Sequence, residues 1–201
     1  MNRCVLFFTK YPEPGKVKTR LTPFLSGREA AEVHRLLAEH TVGELKRMKT
    51  DFFVCYHPPR LRRRFEGWLG RELTYLPQSG RELGGRMKNA FQRAFQMGYD
   101  RIILIGSDIP DITAELMKDS FRVLAGKGAV IGPSKDGGYY LIGFQKEHFS
   151  GDVFKGLKWG TDSVYADTRS YLNRKFEAVG LMPELADIDT IEDLSGFAEG
   201  G

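Results

Sequence analysis

Short apolar runs alternate along the chain with longer segments of helical spacing, the pattern of an α/β protein. The clearest run is Ile-Ile-Leu-Ile at 102–105, too short for a helix, which predicts a strand buried on both faces of a parallel sheet. Gly106, Ser107 and Pro110 stop it and leave Asp108 at the carboxyl end of a central strand. Further runs predict strands at 4–8, 51–56, 74–77, 129–131, 139–144 and 176–179. Between them, Ser26 and Glu29 form a capping box ahead of Val33, Leu36, Leu37, Thr41, Leu45 and Met48, the inner face of a long helix. Leu61, Phe65, Trp68 and Leu69 predict a short helix. Ser79 and Glu82 make a second capping box before Leu83, Met87, Ala90, Phe91, Ala94 and Phe95, with Gly98 closing that helix. Thr113 caps a helix to Leu124; Thr161 caps one that turns Val164, Tyr165, Thr168 and Leu172 inward; Thr190 and Asp193 start the last. Asp136-Gly137-Gly138 between two apolar runs signals a hairpin, so an antiparallel pair joins an otherwise parallel sheet.

A length of 201 residues suits one α/β domain spanning 1–201. With 41% apolar and 28% charged residues the composition is that of a soluble globular chain, and no run approaches a membrane span, so the expected location is the cytoplasm. Cys4 and Cys55 stand alone in strand-like runs, which reads as two buried free thiols in a reducing compartment. The formal charge of +4 fits an anionic ligand but is too small an excess to argue for nucleic acid. Arg60, Arg62, Arg63 and Arg64 lack aromatic interleaving and read as a solvated helix face. His34 and His40, without a partner pattern, read as packing or surface residues.

Three stretches carry candidate chemistry. The loop after the first strand holds Lys10, Lys16, Lys18 and Arg20 against one acid, Glu13, together with Gly15 and Thr19. Such a loop supplies backbone N–H groups, ammonium charge and a guanidinium for a di- or triphosphate, although a solvated basic loop has the same composition. It is not a Walker A loop, because Val17 follows Gly15-Lys16 where Ser or Thr should stand. Asp108, at the sheet edge where ligands bind in open α/β sheets, reads as a metal or substrate anchor or as a turn cap. Asp187 and Asp189, alternating around Ile188, would point the same way and complete a hard-metal site with Asp108. The helix start beside Arg81 and Arg86 also suits an anion. Asp136, Gly137 and Gly138 are fully explained by turn chemistry when taken in isolation.

Lys10–Leu21, Gly106–Pro110, Gly132–Gly143 and Asp187–Leu194 together resemble the DUF2064 proteins, also called radical-SAM/selenodomain-associated transferase 1, of the nucleotide-diphospho-sugar transferase superfamily. More distantly, the chain is similar to 2-phospholactate and molybdenum-cofactor guanylyltransferases. The resemblance implies a GT-A-like, Rossmann-like three-layer sandwich with a mixed, mostly parallel sheet. It implies phosphates at Lys10, Lys18 and Arg20, and Mg²⁺ or Mn²⁺ on Asp108 with Asp189 and Asp187. Asp136, Gly137, Gly138 and Tyr139 would line the acceptor side, with Trp159 and Thr161 closing the pocket. In the segment 78–87 Glu82 replaces the family's usual Asp. The activity implied is transfer of a sugar from a nucleoside-diphosphate sugar, with Asp108, Lys18 and Asp136 at its centre and Asp136 as candidate base. Nucleotidyl transfer from an NTP and a non-catalytic nucleotide-binding partner protein are the alternatives. The acceptor and oligomeric state are not legible.

Overall fold

The computed structural model describes residues 1–199. Thirteen regular elements alternate in the order β1 (Arg3–Lys10), α1 (Gly27–Met48), β2 (Asp51–His57), α2 (Arg62–Leu69), β3 (Tyr75–Pro77), α3 (Leu83–Gln96), β4 (Arg101–Ile105), α4 (Ala114–Ala125), β5 (Ala129–Pro133), β6 (Tyr139–Gln145), α5 (Val164–Lys175), β7 (Gly180–Leu181) and α6 (Ile191–Glu199). The strands form one sheet in the order β3-β2-β1-β4-β6-β5-β7. Only β6 runs against its neighbours: it pairs antiparallel with both β4 and β5, while β1–β2, β1–β4, β2–β3 and β5–β7 are parallel.

The strand alternation sorts the core into two layers. Val5 and Phe7 of β1 face Ala38, Val42 and Leu45 of α1, Phe65 of α2 and Met117 and Phe121 of α4. Cys4, Leu6 and Phe8 face the other way, onto Met87, Phe91 and Phe95 of α3 and Leu172 of α5. Helices on both faces leave no strand face for water, which is why the central strands read as continuous apolar runs rather than as alternation. Phe91 anchors the second layer, stacked on Phe149 at 5.2 Å and edge-on to Phe144 at 5.3 Å. Cys4 and Cys55 are buried free thiols there. Among the described residues no helix is long and apolar enough to cross a membrane.

Local signals hold at several helix ends. Ser26 and Glu29 make the reciprocal capping box, and the Thr113 hydroxyl accepts from the Leu116 N–H. Gly98 takes the positive φ that follows α3. Elsewhere the structure corrects the sequence reading. The last strand is Gly180–Leu181, not 176–179; Phe176 instead follows α5 as its C-cap. Ser79 and Glu82 do not form a box: α3 begins at Leu83 with Glu82 as an N-cap that makes no side-chain bond. Thr161 does not cap α5, whose N-cap is Ser163; its hydroxyl donates to the Lys158 carbonyl, closing the preceding turn. On α1, Leu37, Thr41, Leu45 and Met48 are buried as expected, Leu36 is exposed, and the buried stripe widens to Ala30, Ala31, His34 and Ala38. The stripe is therefore broader than its large apolar residues suggest, and it contains a histidine.

Candidate active site

The carboxyl ends of β1 and β4 and the start of β6 meet at one edge of the sheet. Because β6 is reversed, its first residue, Tyr139, comes to the edge where β4 ends. A cavity of about 400 Å³ opens there. Its walls take residues from the first loop (Lys10, Lys18), α1 (His34), the start of α3 (Arg86), the turn after β4 (Ser107, Asp108), the β5–β6 turn (Ser134, Asp136, Gly138), the approach to α5 (Trp159, Thr161) and the segment before α6 (Asp187, Asp189).

Lys18 is the floor of this cavity. Its backbone is left-handed, φ 47 and ψ 42, and its side chain is only 2% exposed. The ammonium donates to Asp108 Oδ1 at 2.5 Å, to the Ile188 carbonyl at 2.5 Å and to Asp189 Oδ1 at 3.3 Å. Arg20 reaches the other oxygen of Asp189 at 3.2 Å from the exposed side. A backbone bond from Ile188 N–H to the Asp108 carbonyl, 3.0 Å, ties the two carboxylate-bearing segments together. Burial pulls the Lys18 pKa down, but Asp108 and then Asp189 outweigh it and hold the ammonium above the ordinary lysine value. Enclosure by the cavity walls pushes the Asp108 carboxyl up. Lys18, and after it His34, outweigh this and hold it well below the usual carboxylate range. Asp108 is 47% exposed, yet what it is exposed to is the cavity.

His34 was missed by sequence reading. Its Nδ1 lies 3.9 Å from Asp108 Oδ1 and its Nε2 3.0 Å from the Lys10 carbonyl, so one imidazole links the end of β1 to the acid after β4. The available signal was a polar residue inside the apolar stripe of α1. Gln78 was also missed as a lining residue; it is buried, and its amide donates to the Cys55 carbonyl at 2.7 Å.

On the opposite wall, Asp136 Oδ1 accepts from the Gly138 N–H at 2.8 Å and the Ser134 hydroxyl at 2.5 Å. Gly137 sits at φ 84, where an added Cβ would lie 2.2 Å from the Asp162 carbonyl oxygen, so this turn needs glycine for both torsion and space. Asp187 is pushed up to about 6, by burial first and then by the neighbouring charge of Asp136. Trp159 packs edge-on to Tyr139 at 6.4 Å and against Gly84 of α3, and its indole N–H is buried without a partner among the described residues.

The expected site residues thus converge in large part. Lys10, Lys18, Arg86, Asp108, Asp136, Gly138, Tyr139, Trp159, Thr161, Asp187 and Asp189 line the cavity. Gly15, Thr19, Arg20 and Gly137 do not; Gly15 and Gly137 shape turns and Arg20 approaches from outside through Asp189. Lys16 lines a neighbouring cavity instead. Among the described residues no group of three His, Cys, Asp or Glu side chains is placed to hold a metal. Where the sequence suggested three acids around a cation, two acids share a lysine.

A mixed seven-stranded sheet of this order, with cations and carboxylates gathered at the carboxyl ends of its central strands, is an α/β fold of the GT-A-like kind. Residues 41–161 match the model of the family described as an uncharacterized protein conserved in bacteria (DUF2064), and the chain belongs to that family. A crystal structure from Desulfovibrio desulfuricans G20, provisionally named a nucleotide-diphospho-sugar transferase, is 44% identical, with a TM-score of 0.94 over 98% of this chain and 87% of that one. The 4-diphosphocytidyl-2C-methyl-D-erythritol synthase of Anaerococcus prevotii DSM 20548 shares the fold at 14% identity, with a TM-score of 0.63 over 99% and 97% of the two chains. So does a Mycobacterium tuberculosis H37Rv protein in complex with manganese, at 12% identity and a TM-score of 0.58 over the full length of both. No curated protein sequence matches the chain.

Proposed function

We propose that this protein is a divalent-metal-dependent nucleotide-diphospho-sugar transferase. In this reading it binds a nucleoside-diphosphate sugar in the main cavity and passes the sugar to an acceptor entering past Asp136, Gly138 and Tyr139. The observation that carries the reading is the convergence of Asp108 and Asp189, from segments 81 residues apart, on the single buried cation of Lys18. The name of the Desulfovibrio relative supports it. The donor set fits a hard divalent ion: both groups are carboxylates already turned toward one positive charge, and Mg²⁺ commonly takes one or two carboxylates and fills its shell with phosphate oxygens and water. Asp108 and Asp189 would hold Mg²⁺ or Mn²⁺, with Asp187 beside them, and the ion would supply Lewis-acid stabilisation of phosphate oxygens.

The chain's own residues do the rest. In sugar transfer the bond between the anomeric carbon and the β-phosphate oxygen breaks, its electron pair leaving with the nucleoside diphosphate. Lys10 and Lys18, with Arg20 at the rim, offset the charge that builds on that leaving group. The acceptor oxygen bonds to the anomeric carbon and gives up its proton. Asp136 is the candidate to take it, since Gly138 and Ser134 fix one carboxylate oxygen and leave the other without a partner among the described residues.

One observation favours a second reading. Lys10, Lys16 and Arg86 have no ion-pair partner among the described residues, more positive charge than a diphosphate needs, which suits a triphosphate and nucleotidyl transfer. Melting temperature against a panel of NTPs and nucleoside-diphosphate sugars, with and without Mg²⁺ or Mn²⁺, decides between them. A ligand at about a hundred times its dissociation constant adds roughly 2.7 kcal/mol of stability. Metal-dependent stabilisation by a nucleotide sugar and not by the parent NTP is the expected result, with the metal dependence lost in Asp108→Asn. Preference for the NTP transfers the assignment to nucleotidyl transfer, and silence across the panel leaves the non-catalytic partner reading.

A further inference from the structure

We propose that a second cavity, of about 270 Å³ beside the carboxyl ends of β1 and β2, is a separate binding subsite for a phosphoryl group. It shares Lys10 and Val17 with the main cavity as a common wall. Its other charged and polar walls are Lys16, His57 and Arg60, against a single carboxylate, Glu13. Among the described residues none of Lys10, Lys16 and Arg60 has an ion-pair partner. Nearby cations do: Arg62 pairs with Glu66, and Lys18 and Arg20 of the same first loop pair with Asp189. The cavity thus gathers three unpaired cations around one carboxylate.

His57 records that field. Its imidazole is held below the ordinary histidine pKa, first by burial and then by Arg86, Lys10 and Arg60, and its Nδ1 is buried without a partner among the described residues. Of these cations, Lys10 at the end of β1 and Arg60 in the turn after β2 line the same cavity as the ring. Arg86 lines the main cavity and not this one, so its charge acts on His57 from the neighbouring side of the Lys10 wall. A compact dianion is the ligand this arrangement lacks: ammonium and guanidinium groups are the standard partners of phosphate oxygens, and the position lies at the edge where α/β sheets bind ligands. The phosphoryl group comes either from the tail of a donor lying in the main cavity and extending past Lys10, or from a second phosphorylated molecule.

The experiment is titration of the full chain with inorganic phosphate and with pyrophosphate, followed by calorimetry and by NMR of the imidazole resonances, of which the chain has four histidines' worth. Saturable binding that moves the His57 resonance is expected. Arg60→Gln should weaken it about tenfold, the scale of a lost hydrogen bond to a charged group. Arg63→Gln, an exposed residue on α2 with the same charge change, should alter it less than about twofold, as expected for screened surface charge. No shift at His57, or equal effects of the two variants, overturns the proposal. Nucleoside diphosphates added to the phosphate-loaded protein separate the sources: displacement assigns the subsite to the donor's own tail, and co-occupancy to a second phosphorylated ligand. Phosphate is read here without donor or metal, so this proposal and the sugar-transfer reading can fail independently.

Discussion

Lys18 donates to two side chains and a carbonyl that reach it from the middle and the far end of the chain, with its own backbone in a left-handed conformation that side chains rarely adopt. Removing the ammonium leaves two carboxylates facing each other at the cavity floor. Lys18→Met should therefore cost about 3 kcal/mol in urea unfolding, in the range for breaking a buried ion pair. Adding Asp108→Asn to it should recover part of that loss, because it removes the stranded charge. Asp187 works in the other sense. Its folded pKa of about 6 lies above the ordinary 3.8, so between those values the native state holds more protons than the unfolded chain. Stability then falls as pH rises through that window and is flat above it. Asp187→Asn should be more stable than the wild type at pH 7.5 by about 1–2 kcal/mol, a figure discounted for its partial exposure, and no more stable below pH ~4. Chemical denaturation at the two pH values reads the difference directly.

At the scale of elements, the β5–β6 turn shows how a structural signal can also position chemistry. Asp136-Gly137-Gly138 was legible as a hairpin, and it is one; the same turn fixes an Asp136 oxygen at the cavity wall and accepts the Tyr165 N–H at Gly137. Gly137→Ala should cost about 2 kcal/mol through strain at positive φ, and more if the Asp162 backbone cannot retreat, with the melting temperature as the readout. The buried strands and the caps at Ser26 and Thr113 were legible because burial and capping are local requirements. What misled was composition without geometry. Phe176 and Val179 are apolar enough for a strand but are only partly buried beside the second core layer, while β7 forms at Gly180, whose lack of a side chain lets it lie against Val123 and β5. Ser79 and Glu82 have the spacing of a capping box, but Gly80 packs against the Gly85–Arg86 backbone and the helix starts later.

At the scale of the molecule, the acids and cations of the site were legible as a set of residues, because charge at the carboxyl edge of a sheet is conspicuous among apolar runs. Their pairing was not. Nothing in the spacing of Lys18 and Asp189 reveals that they meet, and the site's lining histidine lies inside a helix stripe that the large apolar residues alone do not outline. Long-range contacts are written in the topology, and the topology puts the first loop and the segment before α6 on the two sides of β4. One consequence is temporal. The Lys18 ammonium bonds Ile188, 170 positions later in the chain, so the sheet can assemble around β1 and β4 well before the cavity floor can close. Contacts of such separation form late and slowly. As the chain is synthesised, the charged floor stays open until residues 187–189 have been made, and the Lys18–Asp108 pair spends that interval without the Ile188 carbonyl and the Asp189 carboxylate that complete it.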